Sequence, residues 1–163
     1  MKNELEKAMK EIGLYRKDVE EKILEFARTD LLFFWGEKKE LFEKQQKEWK
    51  PILDWVEERI NARIKTTTSL DVPDNEFLQH PLKVVVEEMS DKELACFYAA
   101  ALNMKSVLLA LALIRGRIDA EEAGRLSYLE ELWQNEIWGK EIEAQKRREE
   151  RCEELKVIER FLR

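Results

Sequence analysis

The chain has 163 residues, of which 44% are hydrophobic and 39% charged, with only five glycines and three prolines. Such a chain can bury a core, is too hydrophobic for a disordered protein, and has too few turn residues for a β-sandwich. Its 29 basic and 35 acidic residues are interleaved and give a net charge of −6, so it lacks the clustered basic surface of a nucleic-acid-binding protein. The composition predicts an all-α protein, a multi-helix bundle.

The first third of the chain alternates helical patterns with one dense hydrophobic run. Hydrophobic spacing predicts helices over residues 4–12 and 16–28, separated by Gly13. The run over residues 31–35 consists entirely of large hydrophobic side chains. It predicts a buried crossing segment, either extended or a short helix.

A longer helical pattern covers residues 37–64. Pro51 predicts a kink or a break near Lys50, because proline lacks an amide donor and clashes with the preceding turn. Residues 65–75 form the clearest predicted loop, and the composition of residues 64–68 favours a short extended piece within it.

The middle of the chain carries the most hydrophobic segment. Pro81 suits the first turn of a short helix. Ser90 and Glu93 predict a capping box at the start of an apolar helix, whose buried part we place at residues 94–114. Because charged and amide side chains interrupt this segment, we interpret it as the central helix of the bundle rather than as a membrane span.

The last third of the chain starts with Asp119, which predicts a helix cap. The helix that follows carries a hydrophobic stripe, and Gly139 is expected to interrupt it. Residues 140–151 then predict a solvent-exposed helix. The hydrophobic residues of the stripe and of the tail are, in order, Leu126, Leu129, Trp133, Ile137, Leu155, Ile158, Phe161 and Leu162.

The sequence offers little material for catalysis. His80 is the only histidine, and it precedes a proline in loop-like sequence. Cys96 is expected in the core and Cys152 to be partly exposed, and two such cysteines favour a reducing compartment. Phosphate-binding loops, nucleophile elbows and Cys-x-x-Cys pairs are all missing. We therefore predict that the protein is not an enzyme and binds neither a metal nor an organic cofactor.

Five tryptophans are the remaining unusual feature. Trp49 and Trp133 follow helical hydrophobic stripes and are predicted to fill the core. Trp35 and Trp138 each precede a glycine near a predicted helix end, where an indole can be half exposed. Half-exposed tryptophans are common anchors of protein interfaces.

Four sequence blocks, taken together, resemble the chaperones of the ATP synthase α subunit, the family of F₁ complex assembly factor 2. The fourth block is the most specific, because two acids, an aromatic residue and glutamine followed by Trp-Gly form a rare combination. The resemblance covers roughly residues 16–163. The blocks are Thr29–Leu32; Gln45 with Trp49–Trp55; Ser106–Ala112; and Leu129–Gln134 with Trp138-Gly139.

The resemblance implies a helical domain that, in the family, follows a smaller β-rich domain. No β-rich segment precedes residue 16, so we expect residues 1–163 to form a single helical domain in which residues 1–15 add an N-terminal helix. Two positions depart from the family pattern. Lys50 stands where an acid is usual, and Lys105 stands where a glycine is usual.

The resemblance also implies a function, which is to hold the newly made α subunit soluble until it joins the β subunit and so to support assembly of the F₁ sector. The expected partner is therefore a protein, without nucleic acid or membrane insertion, and a monomer is favoured. A generic helical adaptor with another client is the alternative function. The bacterial cytoplasm is the expected compartment, with the mitochondrial matrix as the alternative.

The expected client-binding residues lie mainly in the fourth block. An acid in this block matters in the family, which points first to Glu131 and then to Glu130. Spacing by three and four places Glu131, Gln134 and Trp138 on one helix face. Trp35 is added as a second aromatic anchor. On this hypothesis Glu131→Lys leaves folding nearly intact and weakens protection of the client.

Overall fold

The computed structural model describes residues 1–139 and 141–163, and in these residues it contains nine α-helices and one isolated β-bridge. The all-α prediction is confirmed. The helices are α1 (Lys2–Ala27), α2 (Lys39–Glu48), α3 (Lys50–Ile60), α4 (Gln79–Glu88), α5 (Asp91–Met104), α6 (Val107–Ile114), α7 (Ala120–Ser127), α8 (Leu129–Trp138) and α9 (Ile142–Leu162).

The first two predicted helices are joined into α1. The backbone torsion angles of Tyr15, φ −124° and ψ 15°, are not helical, and they kink α1 two residues after Gly13. Gly13 itself stays helical. A break in the hydrophobic pattern was therefore correctly recognised, but it bends one helix instead of separating two.

The hydrophobic run after α1 forms the predicted buried crossing, as a 3₁₀ turn over Leu31–Phe33. Asp30, which precedes it, is fully buried. The Asp30 carboxylate accepts hydrogen bonds from the amides of Leu32 and Leu108, both at 3.0 Å, and from the Ser106 hydroxyl at 2.7 Å. Burial raises the pKa of Asp30, and these hydrogen bonds oppose that rise. One carboxylate thus joins the crossing segment to the start of α6.

The helical pattern after this segment breaks at Trp49, as Pro51 predicts, and gives α2 and α3. Asn61 ends α3 in the left-handed conformation, before the predicted end at residue 64. The expected extended piece is confirmed by a parallel bridge between Phe34 and Thr67.

The helix caps predicted from the sequence at Ser90 and Asp119 are confirmed. Ser90 and Glu93 form the predicted capping box of α5. The Asp119 carboxylate accepts from the amide of Glu122 at 2.8 Å and caps α7. His80 differs from expectation, since it lies exposed in the first turn of α4 and not in a loop.

The predicted single central helix over residues 94–114 is wrong in one respect. The segment is central and buried, but Lys105 adopts φ 57° and divides it into α5 and α6. Ser106 then caps α6, and its hydroxyl accepts from the amide of Leu109 at 3.0 Å. The turn brings the start of α6 to the Asp30 carboxylate, and that contact favours two helices over one.

The C-terminal third is also divided more often than predicted. Tyr128, with φ −109° and ψ 17°, separates α7 from α8. Gly139, with φ 89°, ends α8 as expected. The predicted exposed stretch 140–151 contains Lys140, which lies outside the described residues, and residues 142–151 form the start of α9.

The core is one continuous cluster centred on α5 and α6, and every residue of α6 is buried. The helix α1 packs along α5, and α9 packs against α5 and α7 from the C-terminal side. Trp49 and Cys96 are buried and Cys152 is half buried, as predicted. Within residues 1–139 and 141–163, no helix has the length and hydrophobicity needed to cross a membrane.

Candidate functional site

The helix α8 is amphipathic and ends in an exposed tryptophan. Leu129 and Trp133 are buried, as predicted, whereas Glu130, Gln134 and Trp138 are exposed. Trp138 has 80% of its surface exposed, more than the half exposure expected for an indole at a helix end. Three of the predicted site residues therefore lie on the outer surface of one short helix.

Exposed hydrophobic side chains lie at the end of α8 and at the start of α9. Ile137 was predicted to be core, but it is 46% exposed because the last turn of α8 extends past the buried stripe. Ile142, at the start of α9, is 83% exposed. Together Ile137, Trp138 and Ile142 form what we call the turn patch. Sequence reasoning missed Ile142, although a single isoleucine inside a charged stretch was the available signal.

Glu131 forms an ion pair with another helix, and no such contact involves Glu130 or Gln134 among the described residues. Oε2 of Glu131 accepts a hydrogen bond from Nη1 of Arg148 on α9 at 3.2 Å. Arg148 is only 8% exposed, while about half of the Glu131 side chain is accessible. Nothing in the charged run around Arg148 distinguishes this arginine from its exposed neighbours, so sequence reasoning could not find it.

A groove of about 670 Å³ lies between α7 and α8 on one side and α9 on the other. Its lining includes Tyr128, Leu132, Arg148 and Cys152. Near Gly124 the helices α7 and α9 approach closely, since a Cβ atom on this glycine would lie 2.5 Å from Sγ of Cys152. The second half of α9 is therefore fixed by close packing.

The groove also holds a buried hydroxyl group. Tyr128 is 7% exposed, and its hydroxyl has no hydrogen-bond partner among the described residues. Burial raises the pKa of Tyr128, and the nearby Arg151 guanidinium opposes the rise. The hydroxyl stays protonated at neutral pH, so it can still donate a hydrogen bond.

Trp35 lies in a different environment. It is half buried, its Nε1 donates to the carbonyl of Leu32 at 2.9 Å, and its ring centroid lies 5.2 Å from that of Phe42. Trp49 also belongs to this cluster, because its ring centroid lies 6.5 Å from that of Trp35. The structure thus places Trp35 in an aromatic cluster beside α2, apart from the turn patch.

The described residues contain no group of three or more histidine, cysteine or acidic side chains that could hold a metal ion. The two described thiols differ in environment, and burial raises the pKa of Cys96 to about 11. A thiol with so high a pKa is a weak nucleophile at neutral pH. The exposed side chains of α8 and of the start of α9 form a surface that a partner protein can contact.

Comparison with known proteins agrees with this interpretation of the surface. The family model described as ATP12 chaperone protein matches residues 3–57. A crystal structure of Atp12 from Paracoccus denitrificans superposes on this chain with a TM-score of 0.87 and is 29% identical in sequence. The structure of a point mutant of the Paracoccus protein superposes with a TM-score of 0.89 and is 28% identical. Both comparisons cover 95% of this chain and 67% of the other.

A further match is a candidate chaperone from Agrobacterium tumefaciens, with a TM-score of 0.81, 28% identity, and coverage of 95% of this chain and 59% of that one. The sequence match and the three-dimensional matches are all to chaperones or candidate chaperones. The chain is thus similar to ATP12 chaperones, in sequence over residues 3–57 and in fold over 95% of its length.

Proposed function

We propose that this protein is an assembly chaperone of F₁ ATP synthase and that its client is the α subunit. Similarity to the ATP12 chaperones supports the chaperone role. The choice of the α subunit rests on the four sequence blocks that resemble the α-subunit chaperones. The bacterial origin of the structural relatives favours the bacterial cytoplasm as the compartment.

The observation that carries the proposal is the exposed end of α8. Trp138 and Ile142 expose 80% and 83% of their surfaces in the free protein. Large hydrophobic side chains that remain exposed together are typical of a binding surface, and tryptophan contributes strongly when a partner covers it. Covering them with an assembly surface of the α subunit removes hydrophobic area from water on both proteins.

Exposed acidic and polar residues lie on the same helix as this hydrophobic centre. Glu130, Glu131 and Gln134 lie on the same helix as Trp138, and their side chains are accessible. Charged residues at the edge of an interface guide the partner and contribute less to affinity than the central hydrophobic contact. We assign the main binding energy to Trp138. Trp35, held by its own cluster, is assigned a supporting role in shaping the neighbouring surface.

The proposal treats residues 1–163 as one helical binding unit. Every described helix except α2 contributes buried residues to a single core, which therefore joins both ends of the chain. The chain spans 67% of the length of the Paracoccus structures it matches. Client binding by residues 1–163 is thus part of what must be tested.

The test is a pull-down from the native host with the full chain as bait, probed for the ATP synthase α subunit. Purified α subunit is then mixed with the chaperone, and its aggregation is followed by light scattering. We expect the α subunit in the bound fraction and reduced scattering at equimolar chaperone. Capture of a different protein, together with unchanged scattering, would favour the adaptor function instead.

A further inference from the structure

The start of α9 is held differently from its end. Leu155 and Ile158 bury the second half of α9 in the core. In the first half, the one described buried residue is Arg148. The arginine therefore takes the place that a hydrophobic residue occupies elsewhere in the helix.

A buried guanidinium needs a negative partner, because removing an unpaired charge from water is costly. Among the described residues, Glu131 is the only acid that forms an ion pair with Arg148. Glu131 lies on α8 and Arg148 on α9, so this pair joins the two helices, and Arg148 also lines the groove between them. Both helices also border the turn patch, since α8 ends at Trp138 and α9 begins at Ile142.

We propose that Arg148 is a positioning residue for client binding and that Glu131 acts through it. The ion pair fixes the first half of α9 against α8 and thereby sets the relative positions of Trp138 and Ile142. This inference rests on the proposed function, and it changes the role of Glu131 from a direct contact to a support for the contact surface.

The two roles predict opposite results for Arg148→Met. If Glu131 touches the client directly, removal of its intramolecular partner leaves it available, and the affinity is unchanged or higher. If the pair positions α9, Arg148→Met and Glu131→Leu each weaken binding of purified α subunit, by about tenfold. Methionine approximates the aliphatic part of the arginine side chain and removes the buried guanidinium, and the Glu131 carboxylate left behind is about half accessible to water, so the variant is expected to fold.

The decisive variant combines both changes. Glu131→Leu with Arg148→Met replaces the ion pair by a hydrophobic contact, a replacement that is often neutral or stabilising. On our proposal this double variant recovers affinity to within about threefold of the unsubstituted protein, although it has no charge at either position. Amide hydrogen exchange over residues 142–150 should be faster in Arg148→Met and return toward its original rate in the double variant.

Arg147→Met is the matched control, because Arg147 is an exposed arginine one residue earlier on the same helix. It should change neither affinity nor exchange. A folded double variant that binds as weakly as Glu131→Leu would overturn the proposal, as would tight binding by Arg148→Met, and either result would leave the proposed function standing. If the unsubstituted protein does not bind the α subunit, the proposed function fails, and this inference fails with it.

Discussion

Two regions of this molecule use polar residues in opposite ways. Around Asp30, polar groups are buried and satisfy one another: the carboxylate accepts three hydrogen bonds, and one of its donors, Ser106, also caps α6. Around the turn patch, hydrophobic groups are exposed, and one ion pair crosses from α8 to α9. The first arrangement stabilises the fold, and the second leaves surface available to a partner.

The four sequence blocks divide between these two roles, stabilising the fold and leaving a surface for a partner. The first and third blocks meet at Asp30 and Ser106. The second contributes Gln45, which accepts from the Gly36 amide at 2.8 Å, and Trp49, which donates to the carbonyl of Leu126 at 2.9 Å. The fourth block supplies the exposed face of α8. A family pattern of this kind therefore contains mostly folding information, and a minority of its residues carry the proposed binding function.

Asp30→Ala is expected to have the largest effect on stability. It leaves the amides of Leu32 and Leu108 buried without an acceptor, and each unsatisfied group is costly, so we expect a loss of roughly 3 kcal/mol or more. Chemical denaturation followed by circular dichroism measures the change. Asp119→Ala is the matched control, because it removes a single exposed cap worth about 1 kcal/mol. Equal losses in the two variants would refute the structural role of the buried carboxylate.

Trp138→Ala tests the role of the turn patch in client binding. Since the indole is mostly exposed in the free protein, the free energy of unfolding should change by no more than about 0.5 kcal/mol. Binding of the α subunit should weaken at least about tenfold, because an interface tryptophan that becomes covered typically contributes more than 1 kcal/mol. Leu70→Ala removes another highly exposed hydrophobic residue, from the loop after α3, and should leave binding unchanged. Equal affinity of Trp138→Ala and the unsubstituted protein would exclude Trp138 from the interface.

The positions of most helices could be predicted from local signals. Pro51 marked the break between α2 and α3, and the Ser90 capping box marked the start of α5. The missed divisions depend on contacts between distant residues. The turn at Lys105 brings α6 to Asp30, which is 76 residues from Ser106 in the chain, and no local pattern contains that information.

The candidate site was predictable to a smaller extent. Helical spacing correctly placed Gln134 and Trp138 on an exposed face, because spacing determines the direction of a side chain on a helix. It could not show that Glu131 has a partner, because the partner lies on another helix. Ile137 was misplaced for a related reason, since its burial depends on where the neighbouring helices end.

Lys105→Gly is expected to give the smallest effect, a gain in stability. Lys105 holds φ 57°, a conformation that costs a residue with a side chain about 1–2 kcal/mol, whereas glycine adopts it freely. Glycine also loses more chain entropy on folding, which offsets part of the gain and leaves about 0.5–1 kcal/mol. The exposed Lys105 side chain makes no hydrogen bond or ion pair with the described residues, so its removal costs little.

The backbone at this position is expected to stay in place, because the Lys105 carbonyl accepts from the Leu31 amide at 3.1 Å and glycine keeps that carbonyl. A chain of this length should show a rise in Tm of about 2–3 °C. Asn61→Gly is the matched control, since Asn61 also has positive φ but asparagine tolerates this conformation, and its Tm should change less. The glycine that the resemblance implies at position 105 fits the same backbone requirement. A fall in Tm on Lys105→Gly would instead show that the lysine side chain stabilises the turn between α5 and α6.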